Sequence, residues 1–261
     1  MYALDTAVVC ANTRIEGNRS GAYGGGMWLT AGSLSGTNLT VVGNAAELEG
    51  GGMRGVMGAA CTLHDSAFVS NSVNDSGAGL TWSTSNITLH GTLVAFNHAA
   101  GNGGGMDFFN AHVSLHACVV RDNTAGQDGG GVRVDVGDIS CRDTDIRDNC
   151  ARGNGGGIWG TFCDIALNAA TTNVFFSGNS AHSGGGVYMD YNVNLSVAAP
   201  GPGGYSLDNN SASNWGGFLC GIAVSDARFE GYVSIVENEA EPRVGICLLD
   251  RCECWFNDTN G

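Results

Sequence analysis

The 261-residue chain holds 43 Gly, 3 Pro and 43% hydrophobic residues. Glycine is more than twice its usual ~7% share but follows no period of three, so a collagen helix is excluded, and the apolar share is too high for wholesale disorder. The 25 acidic residues face 11 Arg and no Lys, a net charge of -14, which repels phosphate backbones and argues against nucleic acid, while no apolar run nears the roughly 20 residues of a membrane helix.

Met1–Asp5 has neither the basic start nor the apolar stretch of a secretory signal. That reads as a mature chain, a fragment or export by another route. From there one unit recurs along the chain. Gly-rich triplets end at Gly26, Gly52, Gly79, Gly105, Gly131, Gly157, Gly186 and Gly217, with a degenerate ninth at Gly245, spaced by 26, 27, 26, 26, 26, 29, 31 and 28 residues. An apolar residue follows each: Met27, Met53, Leu80, Met106, Val132, Ile158, Val187, Phe218 and Ile246. Ahead of each triplet stands an Asn: Asn18, Asn44, Asn71, Asn97, Asn123, Asn149, Asn179, Asn210 and Asn238. Three residues before each Asn is an apolar side chain, as in Ile15, Phe68, Val120 and Ile235.

Segments such as Ile87-x-Leu89 and Val132-x-Val134 alternate with period two, and none sustains a helical stripe. A coil of three short strands cannot bury its inner face alone; stacked coils place equivalent residues about 4.8 Å apart and bury it. The expected fold is all-β, a right-handed parallel β-helix of about nine coils, roughly 43 Å long. The Asn residues are expected to form an internal ladder of amides. The β-helix is expected over residues 1–246, with a Cys-rich cap or clasp over 247–261.

Phe68-Val-Ser-Asn71 and Phe176-Ser-Gly-Asn179, combined with Gly-Gly-Gly-Met/Val/Ile, resemble the Phe-x-x-Asn and Gly-Gly-Ala-Ile repeats of chlamydial polymorphic outer-membrane proteins. Similar repeats occur in pectate-lyase-like β-helices of eukaryotic microbes, including algal surface proteins. The resemblance covers about residues 15–246. In the bacterial proteins it implies adhesion and a C-terminal membrane barrel; no alternating barrel strands follow Gly245 here.

Candidate chemistry is sparse. The resemblance to pectinolytic β-helices directs attention to clustered Asp: Asp122, Asp128, Asp135, Asp138, Asp143, Asp145 and Asp148. Arg121-Asp122-Asn123 and Arg147-Asp148-Asn149 repeat one coil apart, which reads first as a solvated charge ladder with Arg and Asp pairing across rungs. Asp122 and Asp148 are the weak Ca²⁺ candidates; a calcium site needs six or more converging oxygens. Thr62-Leu-His64, Thr88-Leu-His90 and Ser114-Leu-His116 stack three imidazoles in one column, read as repeat inheritance rather than a zinc site. No catalytic residue and no cofactor site is assigned.

The 10 Cys form no paired Cys-x-x-Cys. Cys118 is placed on an inward column and Cys220 beside inward Trp82 and Val134. Cys150 and Cys163 flank one triplet, where a cross-link is plausible, and Cys247, Cys252 and Cys254 cluster at the end. Seven Asn-x-Ser/Thr sequons (Asn18, Asn38, Asn74, Asn86, Asn194, Asn209, Asn257) favour, with the even Cys count, an oxidising secretory compartment. Glycans are expected on Asn38, Asn74, Asn86, Asn194 and Asn257, whereas Asn18 belongs to the ladder and should stay bare.

These features point to an extracellular or cell-surface scaffold, glycosylated, disulfide-bonded and self-associating end to end or with neighbouring solenoid segments. No membrane insertion is expected. The alternatives are an enzyme acting on acidic polysaccharide, with the insertions at Asn168–Asn173 and Ala198–Tyr205 forming one wall of a groove, and an adhesin presenting the same loops. A groove of carboxylates with raised pKa would favour the enzyme.

Overall fold

A computed structural model describes residues 1–200, 202, 204–223, 225–241, 245–249 and 253–257. Among them every regular element is a strand, and every pairing is parallel to the strand one coil away. The result is a β-solenoid of about nine turns. Met106–His116 pairs with Val132–Arg142, which pairs with Ile158–Asn168, each in a register of 26 residues. Short strands, one from each coil and mostly of two residues, Arg19–Ser20 through Glu239–Ala240, make a separate nine-stranded sheet. No helix of the described residues is long and apolar enough to cross a membrane.

The alternating pattern sets which side faces in. Leu34, Cys61, Ile87, Val113, Ile139, Ile165 and Leu195 are register partners in one buried column, 1 to 3% exposed. One core runs the length of the rod, from Ala3 to Phe229. Each fully buried Leu or Ile adds about 1.5–3 kcal/mol of hydrophobic stabilisation.

The triplets turn the chain at the coil boundary. Their first glycines sit at positive φ, as in Gly103 (59°) and Gly129 (69°). The second must lie against backbone: a Cβ on Gly104 would stand 2.4 Å from the carbonyl oxygen of Gly130. Elsewhere glycine makes room for bulk. Trp82, fully buried, occupies the space above its register partner Gly55, where a Cβ would fall 2.4 Å from the indole ring.

Two sequence assignments change. The apolar residue aligned with Val187 is Leu219, not Phe218, because the register slips by one residue between Ala212 and Trp215, ahead of the glycines. Phe218 takes the place opposite Gly186 and packs edge-on against Phe176, ring centroids 5.7 Å apart. Cys220 therefore stands in the column of Trp159 and Tyr188, not with Trp82 and Val134. Past residue 246, Ile246–Leu248 and Glu253–Asn257 pair with Leu219–Gly221 and Asp226–Gly231, so solenoid pairing runs through the expected boundary of the Cys-rich segment.

Candidate functional site

The longest continuous polar feature is the Asn ladder. Oδ1 of each Asn accepts from both the backbone N–H and Nδ2 of the Asn one coil earlier, at 2.9 to 3.1 Å in all eight steps from Asn18 to Asn238. The other Nδ2 hydrogen goes back to a carbonyl of the preceding coil, as in Asn97 to Phe68 and Asn123 to Val94, both 2.9 Å. Asn44 through Asn210 are at most 1% exposed, and their amides are bonded on every side, as buried polar groups require.

At the first coil the ladder ends open. Asn18 is exposed rather than buried, since no coil lies on its outer side among the described residues, and no donor there reaches its Oδ1. Val8 and Ile15 are only half-buried, while their register partners Leu34 and Val41 are 1% and 0% exposed. A recess of about 670 Å³ opens here, lined by Val8, Cys10, Ile15, Asn18 and Met27. Among the described residues the ten-residue strand Ala7–Glu16 pairs on one side only, with Ser33–Val42. Across the rim Arg14 grips Glu16 at 2.6 and 2.8 Å.

A second feature is an outward column the sequence reading missed: Tyr2, Trp28, Arg54, Thr81, Asp107, Arg133, Trp159 and Tyr188, one from each coil. Arg54 lies 4.1 Å over the Tyr23 ring and meets Glu49 at 2.6 Å. Arg133 bridges Asp107 (3.2 Å) and Asp135 (2.6 Å) and stacks 4.9 Å over Trp159. Although it points away from the core, Asp107 is 8% exposed, and burial pushes its carboxyl up to about 6 against the opposing pull of Arg133. Burial and the nearby Asp128 and Asp135 also raise Asp190. Arg133, Asp135 and Trp159 fill the slot around Asp107, so its raised carboxyl sits in a closed network, not in a groove. The signal was available: each member from Trp28 on is the second residue after its triplet, but the residue types vary and no single-type repeat marks it.

The acidic run is dispersed into local contacts. Arg121 pairs with Asp122, and Arg147 with Asp148 at 3.2 Å. The expected cross-rung pairing is corrected here. Arg121 and Arg147 are register partners, and Asp122 and Asp148, at φ 54° and 57°, each bond the guanidinium of the preceding residue. Asp128 accepts the N–H of Asn154, Asp138 meets His112, and Asp145 accepts the N–H of Phe175. Asp143 takes the N–H groups of Ala170 and Thr171, tying down the first expanded loop; these bonds outweigh burial and hold its carboxyl low. No group of three or more His, Cys, Asp or Glu among the described residues is arranged to hold a metal ion.

Between the two expanded loops lies a recess of about 260 Å³, lined by Asn173, Phe175, Gly204, Tyr205, Tyr232 and neighbouring serines. No carboxylate, His or Arg lines it. His64, His90 and His116 do stack as their spacing implies, ring centroids 4.6 and 4.8 Å apart with planes within 3° and 11°.

Among the described residues no disulfide is present. Cys150 is exposed on the two-residue-strand sheet while Cys163 is buried on another wall, so the pair flanking the triplet faces different surroundings. Burial pushes the Cys118 thiol up to about 11 and that of Cys163 to about 12, keeping both protonated. Cys118 is buried, as its column implies. Cys252 lies outside the described residues. Of the sequons, Asn38, Asn74, Asn86, Asn194 and Asn209 are exposed, and Leu39, Ile87 and Leu195, which follow three of them, are buried. The side chain of Asn257 lies outside the described part.

Comparison of the chain with protein-family models, curated proteins and solved structures returned no match.

Proposed function

We propose that the protein is a non-enzymatic, self-associating scaffold whose coils continue onto those of another copy or an adjoining solenoid segment. The observation that carries this reading is the open first coil: an unused amide acceptor on Asn18, half-buried Val8 and Ile15, and a ten-residue strand edge, all at one end. A bare strand edge is a template for pairing with another chain. Resemblance to surface-exposed β-helices of microbes, the seven sequons and the acidic charge support placing it outside the cell, glycosylated. The enzyme reading has less support, because among the described residues no carboxylate, His or Arg lines the recess between the expanded loops, and most of the acidic run is tied into local pairs.

Sedimentation velocity over a wide concentration range, with electron microscopy of the same samples, tests the proposal. Mass should grow with concentration, and Ile15→Arg, which puts a charge on the open rim, should abolish the growth. A monomer at every concentration, or growth indifferent to Ile15→Arg, would overturn it.

A further inference from the structure

One outward wall carries two adjacent columns of matched chemistry. Thr62, Thr88, Ser114 and Ser140 are register partners in the first; His64, His90, His116 and Arg142 are partners in the second. Between them Leu63, Leu89, Leu115 and Cys141 point inward and are fully buried or nearly so. The outward side chains therefore stand on a rigid base. His64 is exposed, His90 and His116 are half-buried, and Arg142 continues the line with half its side chain in solvent. Three rungs at about 4.8 Å make a strip roughly 14 Å long.

The charges facing this strip come from both sides. Asp65 follows His64 in the turn and favours protonation of His90; Asp143 lies 3.8 Å from Arg142 but is bonded to the 170–171 backbone. The next column over holds the His112–Asp138 pair at 2.7 Å. Against these, burial and the neighbouring rings of His116 and His64 press His90 toward its neutral form. Three imidazolium rings less than 5 Å apart repel one another. An anion lying along the stack would relieve that repulsion, so proton uptake and anion binding are linked.

We propose that the stacked face of His64, His90, His116 and Arg142 is an acid-gated binding strip for a sulfated polysaccharide lying along the solenoid axis. A line of four cationic positions fits a polymer better than a single ion. The hydroxyl column beside it offers hydrogen bonds to sugar hydroxyls. Sulfate esters stay ionised at the mildly acidic pH where the imidazoles charge, whereas carboxylates begin to lose charge there. Above the usual imidazole range Arg142 still carries its charge, but the net charge of -14 keeps polyanions away.

The experiment measures binding of dextran sulfate, with neutral dextran as control, at about pH 5.5 and about pH 7.5, on either side of the usual imidazole range. Binding at the lower pH should be at least about tenfold tighter, should take up protons in calorimetry, and should vanish in the triple variant His64→Gln, His90→Gln, His116→Gln. Binding that ignores pH, that persists in a folded triple variant, or that is absent at the lower pH would overturn the proposal. Should the triple variant fail to fold, the imidazole NMR signals of the unaltered protein decide: they must move together when dextran sulfate is added at about pH 5.5, and unmoved signals reject the strip.

Discussion

Asn97 gives both its backbone N–H and one Nδ2 hydrogen to a single atom, Oδ1 of Asn123, at 3.0 and 2.9 Å. Its other Nδ2 hydrogen reaches the carbonyl of Phe68. Replacing Asn97 with Asp keeps the shape but sets an acceptor against two acceptors in a site 1% exposed. The variant should lose on the order of 3 kcal/mol or more. A thermal melt superimposable on that of the parent would disprove the ladder's energetic role.

The Asp107 carboxyl shifts from 3.8 up to about 6 on folding. A raised acid means the native state holds a proton that the unfolded chain has released, so stability falls as pH rises from about 4 to about 6 and stays lower above that. A shift of this size corresponds to roughly 3 kcal/mol at most. Asp107→Asn removes this titrating group, together with the charge it sets against Arg133. Its melting temperature should therefore gain on the parent between pH 4 and pH 7; parallel pH curves for the two proteins would refute the assignment.

Gly55 and Trp82 share one space across a coil boundary. Gly55→Ala should destabilise by about 1–3 kcal/mol through overpacking. Trp82→Leu opens a cavity of its own, but in the double variant the new methyl group occupies part of it. The coupling should be favourable by about 1 kcal/mol in a double-mutant cycle. Additive effects would mean the two side chains do not compete.

Secretory expression followed by glycopeptide mass spectrometry should find glycan on Asn38, Asn74, Asn86 and Asn194, which are exposed. In assembled material Asn18 should be bare, because a glycan on its Nδ2 would occupy the rim where another coil is proposed to sit. An assembly carrying glycan at Asn18 would contradict that placement.

Most columns were readable because the repeat carries the same residue type at the same offset: Asn44 and Asn71, Leu63 and Leu89, His64 and His90 are all register partners or ladder neighbours. Legibility failed where residue type and position part company. Phe218 follows a triplet as Val187 does, yet one extra residue between Ala212 and Trp215 has already shifted the register, so a bulky ring falls in a glycine's place. The outward column through Arg54, Asp107 and Arg133 is conspicuous in space and unmarked in sequence, because each coil fills it with a different chemistry. Asn18 obeys the motif but not the burial, since burial depends on a neighbour that the motif does not contain.

The ladder also gives the rod a sense of direction. Each ladder amide from Asn44 to Asn210 hands one hydrogen to the following coil and receives on its oxygen from the preceding one, so the Asn-to-Asn bonds all run the same way along the axis. One end then presents an amide oxygen, while at the other Asn238 turns its side-chain hydrogens back to the carbonyls of Leu207 and Val236. Two oxygen-bearing ends do not match, because a two-fold contact would set oxygen against oxygen, so stacking onto this end runs head to tail. A head-to-tail contact is heterologous and, unless its rotation closes a ring, does not terminate itself. Any length limit on such an assembly must come from elsewhere, through scarcity of subunits or a differently shaped final coil.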